Sequence, residues 1–150
     1  MGERDERFMR EALEEARRAE AEGEVPIGAI VVLGEEIIGR GRNRNVNDND
    51  PTAHAEVVAL RQAARLLANY RLTGCALYAT VEPCAMCAGA AVLARIERLV
   101  YGCDDPKGGG VRSLFRITDD ERLNHQMAIT SGVLGQECGS LVQGFFQKKR

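Results

Sequence analysis

From Asp5 to Glu22 the apolar residues Phe8, Met9, Ala12, Leu13 and Ala16 recur at helical spacing. This predicts an amphipathic helix with one stripe turned to a core. Glu6 with Arg10, and Glu14 with Arg18, are favourable pairs one turn apart, and Gly23 marks the helix end. The run P-I-G-A-I-V-V-L at 26–33 is almost wholly apolar, as in a strand covered on both faces. G-E-E-I-I-G-R-G beyond it predicts a second strand joined to the first by a hairpin. Asn and Asp crowd N-R-N-V-N-D-N-D-P at 43–51, so a loop is expected there, with Thr52 placed to cap the next helix.

Helical period then runs to about Asn69, C-A-L-Y-A-T at 75–80 alternates like a strand, and 84–94 resumes a helix with Pro83 in its first turn. R-L-V-Y-G at 98–102 reads as strand, 104–110 as loop, 111–122 as a short helix and 126–130 as a last short strand. A terminal helix weakened by glycines closes the chain. The alternation predicts an α/β fold with parallel crossovers, in one domain spanning 1–150 without repeat or linker. The helix at 88–94 has almost no polar face and must be covered on every side, either within the domain or by a second subunit; a subunit contact is the reading preferred.

A chain of 150 residues buries about two-thirds of its unfolded surface and needs no disulfides. Its first residues are charged, with no apolar signal core and no membrane-spanning run, so a soluble, cytoplasmic protein is expected. Five cysteines is an odd number, and the close pair Cys84 and Cys87 reads as metal-binding or redox before it reads as a structural bridge. The net charge of -2 argues against nucleic-acid binding through an overall positive field. Residues 1–24 hold nine acids and five bases, however, whereas 40–116 hold eleven Lys/Arg against seven Asp/Glu and the chain ends in K-K-R. Local basic patches therefore stay open.

Three residues apart on a helix, Cys84 and Cys87 share a face, and at its first turn the unpaired N–H groups favour thiolates. Two thiolates aimed at one point suit zinc. His54 and Glu56, two apart, are not two ligands on one helical face, but near a helix start both can border one cavity. That suits His54 as third ligand with Glu56 beside the metal. Three protein ligands leave the fourth tetrahedral position to water, as in a catalytic zinc site, and Glu56 can then carry the proton. A structural zinc would need a further Cys or His. Cys75, Cys103, Cys138 and His125 are available, but none sits in a ligand pair. A redox C-x-x-C would explain neither His54 nor Glu56.

H-A-E at 54–56 with P-C-A-M-C at 83–87 resembles the signature of the zinc-dependent cytidine/deoxycytidylate deaminase superfamily. D-P-T-A-H-A-E, N-Y-R-L, Y-A-T-V-E-P-C-A-M-C-A-G-A and F-F-Q-K-K-R are similar to its bacterial tRNA adenosine deaminase branch in particular. The likeness runs from about residue 5 to the end. It implies a three-layer α/β/α cytidine deaminase-like fold with a central five-stranded mixed sheet, one Zn2+ per subunit, a homodimer, and conversion of the wobble adenosine of a tRNA anticodon stem-loop to inosine. It also implies roles for single residues. Asn43 would hydrogen-bond the flipped base, Asn124 would line the same pocket, Asp105 would lie near the ribose, and the main chain near Ala55 would meet the purine edge. Lys107 and the tail 148–150 would hold phosphates. Two other readings compete: a deaminase of free guanine or cytosine on the same scaffold, and a catalytically silent RNA- or protein-binding subunit, which would have no need of Glu56.

Overall fold

The computed structural model describes residues 2–149, so Arg150 of the basic tail lies outside it. Helix α1 (Glu3–Ala21) is followed by strands β1 (Gly28–Leu33) and β2 (Glu36–Arg42), helix α2 (Ala55–Leu67), strand β3 (Ala76–Val81), helix α3 (Ala85–Leu93), strands β4 (Arg98–Cys103) and β5 (Ala128–Thr130), and helix α4 (Gly135–Lys148). The strands form one sheet in the order β2-β1-β3-β4-β5. β1 is antiparallel to β2 and β3, whereas β3, β4 and β5 run parallel.

Successive strand residues point to opposite faces, and both faces are covered. Ala29, Val31, Leu77, Ala79, Leu99 and Tyr101 pack with Ala55, Ala59 and Ala63 of α2 and with Ala91 and Val92 of α3. Ile30, Val32, Tyr78 and Val100 pack on the other side with Phe8, Met9, Ala12 and Leu13 of α1 and Cys138 of α4. This double burial is why β1 reads as a continuous apolar run. It makes three layers, with α2 and α3 on one side and α1 and α4 on the other.

Contact between α2 and the sheet depends on small residues. A Cβ on Gly41 of β2 would run into the Ala55 carbonyl in the first turn of α2, so glycine there lets the helix lie directly on the strand. The α1 side is pinned by a polar contact. Asp5 accepts from Arg98 at 2.8 and 2.5 Å and from the Tyr78 hydroxyl at 2.7 Å, which holds its carboxyl below the usual range.

Three local expectations are corrected. Thr52 does not cap α2; its hydroxyl donates to Asp50 at 2.7 Å, and His54 occupies the N-cap position. Pro83 precedes the N-cap of α3, which is Cys84, so it lies outside the first turn. Residues 111–122 form turns, not a helix: the Phe115 N–H, which a helix begun at 111 would pair with the Val111 carbonyl, donates to the Gly109 carbonyl, and the Ile117 N–H donates to Gly110. β4 and β5 are therefore a parallel pair joined without a helix.

Candidate active site

The two sequence motifs meet because each begins a helix on the same face of the sheet. β2 and the loop at 43–54 deliver His54 to the N-cap of α2, and β3 delivers Cys84 to the N-cap of α3. Glu56 is the second residue of α2 and Cys87 the third of α3. Both helix N-termini present positive dipole ends at one place, which favours anionic ligands.

Cys84 Sγ lies 3.5 Å from His54 Nδ1, and Cys87 Sγ lies 3.6 Å from the same nitrogen. With Zn–S near 2.3 Å and Zn–N near 2.0 Å, a tetrahedral ion holds sulfur and nitrogen about 3.5 Å apart. The donor set thus fits zinc in both chemistry and spacing. All three ligand atoms lie within 4.8 Å of one another. Among the described residues neither Glu56 nor Cys75, Cys103, Cys138 or His125 joins that group, so no fourth side chain completes a closed structural site. His125 instead has its Nε2 at 2.6 Å from the Ile96 carbonyl.

Protonation of these groups is tightly linked. Contact with Cys87 and then His54 draws the Cys84 thiol down to about 3, and contact with Cys84 together with burial pushes the Cys87 thiol well above its usual range. The Cys84 contact raises His54. A divalent cation would let both sulfurs ionise. Glu56 is 4% exposed, and burial pushes its carboxyl up to about 7, with His54 opposing. A carboxyl that changes protonation near neutrality can act as both acid and base.

Asn43 is buried and its Oδ1 accepts the N–H of Ala55 at 2.9 Å, tying the Asn-rich loop to the start of α2. Ala55 is fully buried, with that N–H engaged. The same loop is held from below by buried Glu24, which accepts from the N–H groups of Val46 and Asn47 and from the Asn47 amide. Asp105 folds into its own turn, accepting from the N–H groups of Lys107 and Gly108 at 3.1 and 3.2 Å. Asp105 and Lys107 nevertheless line a groove of about 1250 Å³ together with α4 residues such as Phe146 and with Lys149 just beyond that helix. Asn124 is exposed and not among the groove-lining residues.

The basic excess at 40–116 is mostly neutralised. Arg40, Arg42, Arg44, Arg61, Arg98, Arg112 and Arg116 each pair with an acid, several of them on α1. Glu82 was missed in the sequence. Its signal was a carboxylate directly after a buried apolar strand, a group that must find donors. Burial works to raise its carboxyl, but donors from Ser113, Arg112 and Asp105 outweigh it and hold the group low.

A His and a C-x-x-C pair at converging helix N-termini, with a buried Glu alongside, define a hydrolytic deaminase of the cytidine deaminase-like fold. The chain belongs to the MafB19-like deaminase family, whose model matches residues 3–150. It is 51% identical over 147 residues to a tRNA-specific adenosine deaminase of Haemophilus influenzae, covering 97% of this chain and 85% of that one. A structure from work on A-to-I editing by tRNA:A34 deaminases superposes with a TM-score of 0.87 at 46% identity, covering 90% of this chain and 98% of the other. A guanine deaminase from Nitrosomonas europaea gives a TM-score of 0.80 at 25% identity, covering 93% and 83%.

Proposed function

We propose that this protein hydrolyses the wobble adenosine of a tRNA anticodon to inosine with release of ammonia, using one zinc ion held by His54, Cys84 and Cys87. The observation that carries the reaction is the three-ligand triangle with Glu56 outside it. Zinc bound there would supply a Lewis acid and a water ligand acidified toward neutrality. Glu56 moves the protons. It takes one from the attacking water as oxygen bonds to C6 and delivers it to N1; it then takes the proton of the new hydroxyl and gives it to the amine as the C6–N6 bond breaks. Water is consumed and ammonia leaves.

Asn43 would orient the base. Its carbonyl is spent on Ala55, which leaves its amide hydrogens for a purine acceptor beside the main chain of Ala55. The base must be splayed from its loop to reach the site. Asp105 and Asn124 would then border the ribose and the pocket, Lys107 and Lys149 would meet phosphates along the groove, and Lys148 would add charge beside it. The tRNA reading is supported by the identity with the Haemophilus protein, and it implies a cytoplasmic enzyme. None of the described helices is long and apolar enough to cross a membrane.

The likeness to a guanine deaminase makes a free-base substrate the specific competitor. Purified protein offered an anticodon stem-loop, free guanine and free cytosine is expected to form inosine in the RNA alone; turnover of guanine but not of RNA would reverse the assignment. A second copy of the chain is proposed to cover Leu66 near the end of α2, Tyr70 just beyond it, Leu93 of α3, and Leu114 and Phe115, all more than half exposed. Sedimentation is expected to show two chains per particle, and a 16.4 kDa species at micromolar concentration would contradict this.

A further inference from the structure

Glu82 directly follows β3, immediately before Pro83 and Cys84, and it is 2% exposed. Among the described residues no Lys or Arg pairs with its carboxylate. Its oxygens instead collect donors from a segment 23 to 31 residues further along. Oε2 accepts the N–H groups of Val111, Arg112 and Ser113 at 3.1, 2.8 and 2.9 Å. Oε1 accepts the N–H of Asp105 at 3.0 Å and the Ser113 hydroxyl. The segment is also tied to the next two residues: Gly110 N–H donates to the Pro83 carbonyl at 2.8 Å, and Gly109 pairs with Cys84 as an isolated antiparallel bridge. A Cβ on Gly109 would run into the Glu82 carboxyl, and one on Gly110 into the main chain at Cys84 and Ala85, so these two glycines let the chain wrap that closely.

Main chain from 105 to 113 is thus built around one buried carboxylate, two residues from a metal ligand. The outer side of this strap carries Asp105 and Lys107, which with Asp104 form one wall of the groove facing α4. A buried carboxylate is costly unless donors converge on it, and here they come from the strap.

We infer that Glu82 is a positioning residue: by gripping 105–113 it sets the strap wall of the groove against the Cys84 side of the site, and so governs how firmly the substrate's polynucleotide is held without touching it. This rests on the proposed RNA substrate. Glu82→Gln tests it with little change of volume. An amide keeps one oxygen for the three N–H groups at 111–113 but turns its NH2 toward the Asp105 N–H, donor against donor, so the 105 end is released. In the zinc-loaded protein, KM for the stem-loop is expected to rise about tenfold, the effect of one lost charge-assisted hydrogen bond, with kcat and zinc content within about threefold of the parent. Unchanged KM, or a fall in kcat tracking lost zinc, overturns the inference. Amide exchange at 105–108, measured without RNA, should speed up in Glu82→Gln. That arm decides whether the anchor exists even if the stem-loop is not the substrate, and unaltered exchange also overturns it. Should Glu82→Gln fail to fold, Ser113→Ala removes one donor to Oε1 and is expected to raise KM about threefold at constant kcat; no rise refutes the inference.

Discussion

Replacing Glu56 with alanine is expected to leave the fold and the metal content intact and to lower turnover by about 10²–10⁴-fold, the range for loss of a general acid and base. The residue lies in the first turn of α2, where alanine is the best helix former, and its carboxyl is not within the ligand cluster. The loss falls on proton transfer, and kcat should drop with kcat/KM. Elemental analysis showing one zinc per chain, beside turnover within tenfold of the parent, would remove Glu56 from the proposed mechanism.

Cys87→Ala is expected to act through the metal and to take activity to background. Cys87 is fully buried in the first turn of α3, with its sulfur 3.6 Å from His54 Nδ1. Its loss leaves one sulfur and one nitrogen, too few for a catalytic zinc, which takes three protein ligands. The variant should therefore purify without zinc, at wild-type helix content. Stoichiometric zinc in this variant would contradict the ligand set. The two replacements thus separate the roles, since one keeps metal without chemistry and the other loses both.

The elements with strong local patterns were readable from residues alone. The stripe of Phe8, Met9, Ala12, Leu13 and Ala16 lies buried on α1, and the hairpin after 26–33 forms as β1 and β2. The pairing of Cys84 with Cys87 was equally legible, because two residues three apart in a first helical turn share a face, and the tertiary structure brings His54 within reach of both to form a group that could hold a metal ion. The helix expected at 111–122 did not form. Val111, Leu114 and Phe115 have a helical interval, but the N–H groups of Leu114 and Phe115 go to the Gly109 carbonyl and that of Ile117 to Gly110, in a segment folded around the Glu82 carboxylate 29 to 31 residues earlier in the chain. The cap of α2 follows the same logic, since Asn43 supplies the acceptor for Ala55 from 12 residues away, leaving Thr52 to its turn. The basic excess at 40–116 was counted correctly, yet its arginines face acids brought over by α1 and by neighbouring turns.

The sequence by itself determined the helices and strands outside 111–122 and the placing of Cys84 and Cys87 on one helical face, because amphipathic period, turn residues and spacing act within a few residues, whereas the three layers were implied by the family resemblance. Only the tertiary structure decided which buried carboxylates hold the loops at 43–51 and 104–113, which arginines remain available to a polyanion, and how the wall of the groove is set. The buried carboxylates and the arginine pairs with α1 depend on donors and charges that meet across 20 or more residues, and no local pattern records a partner at that distance.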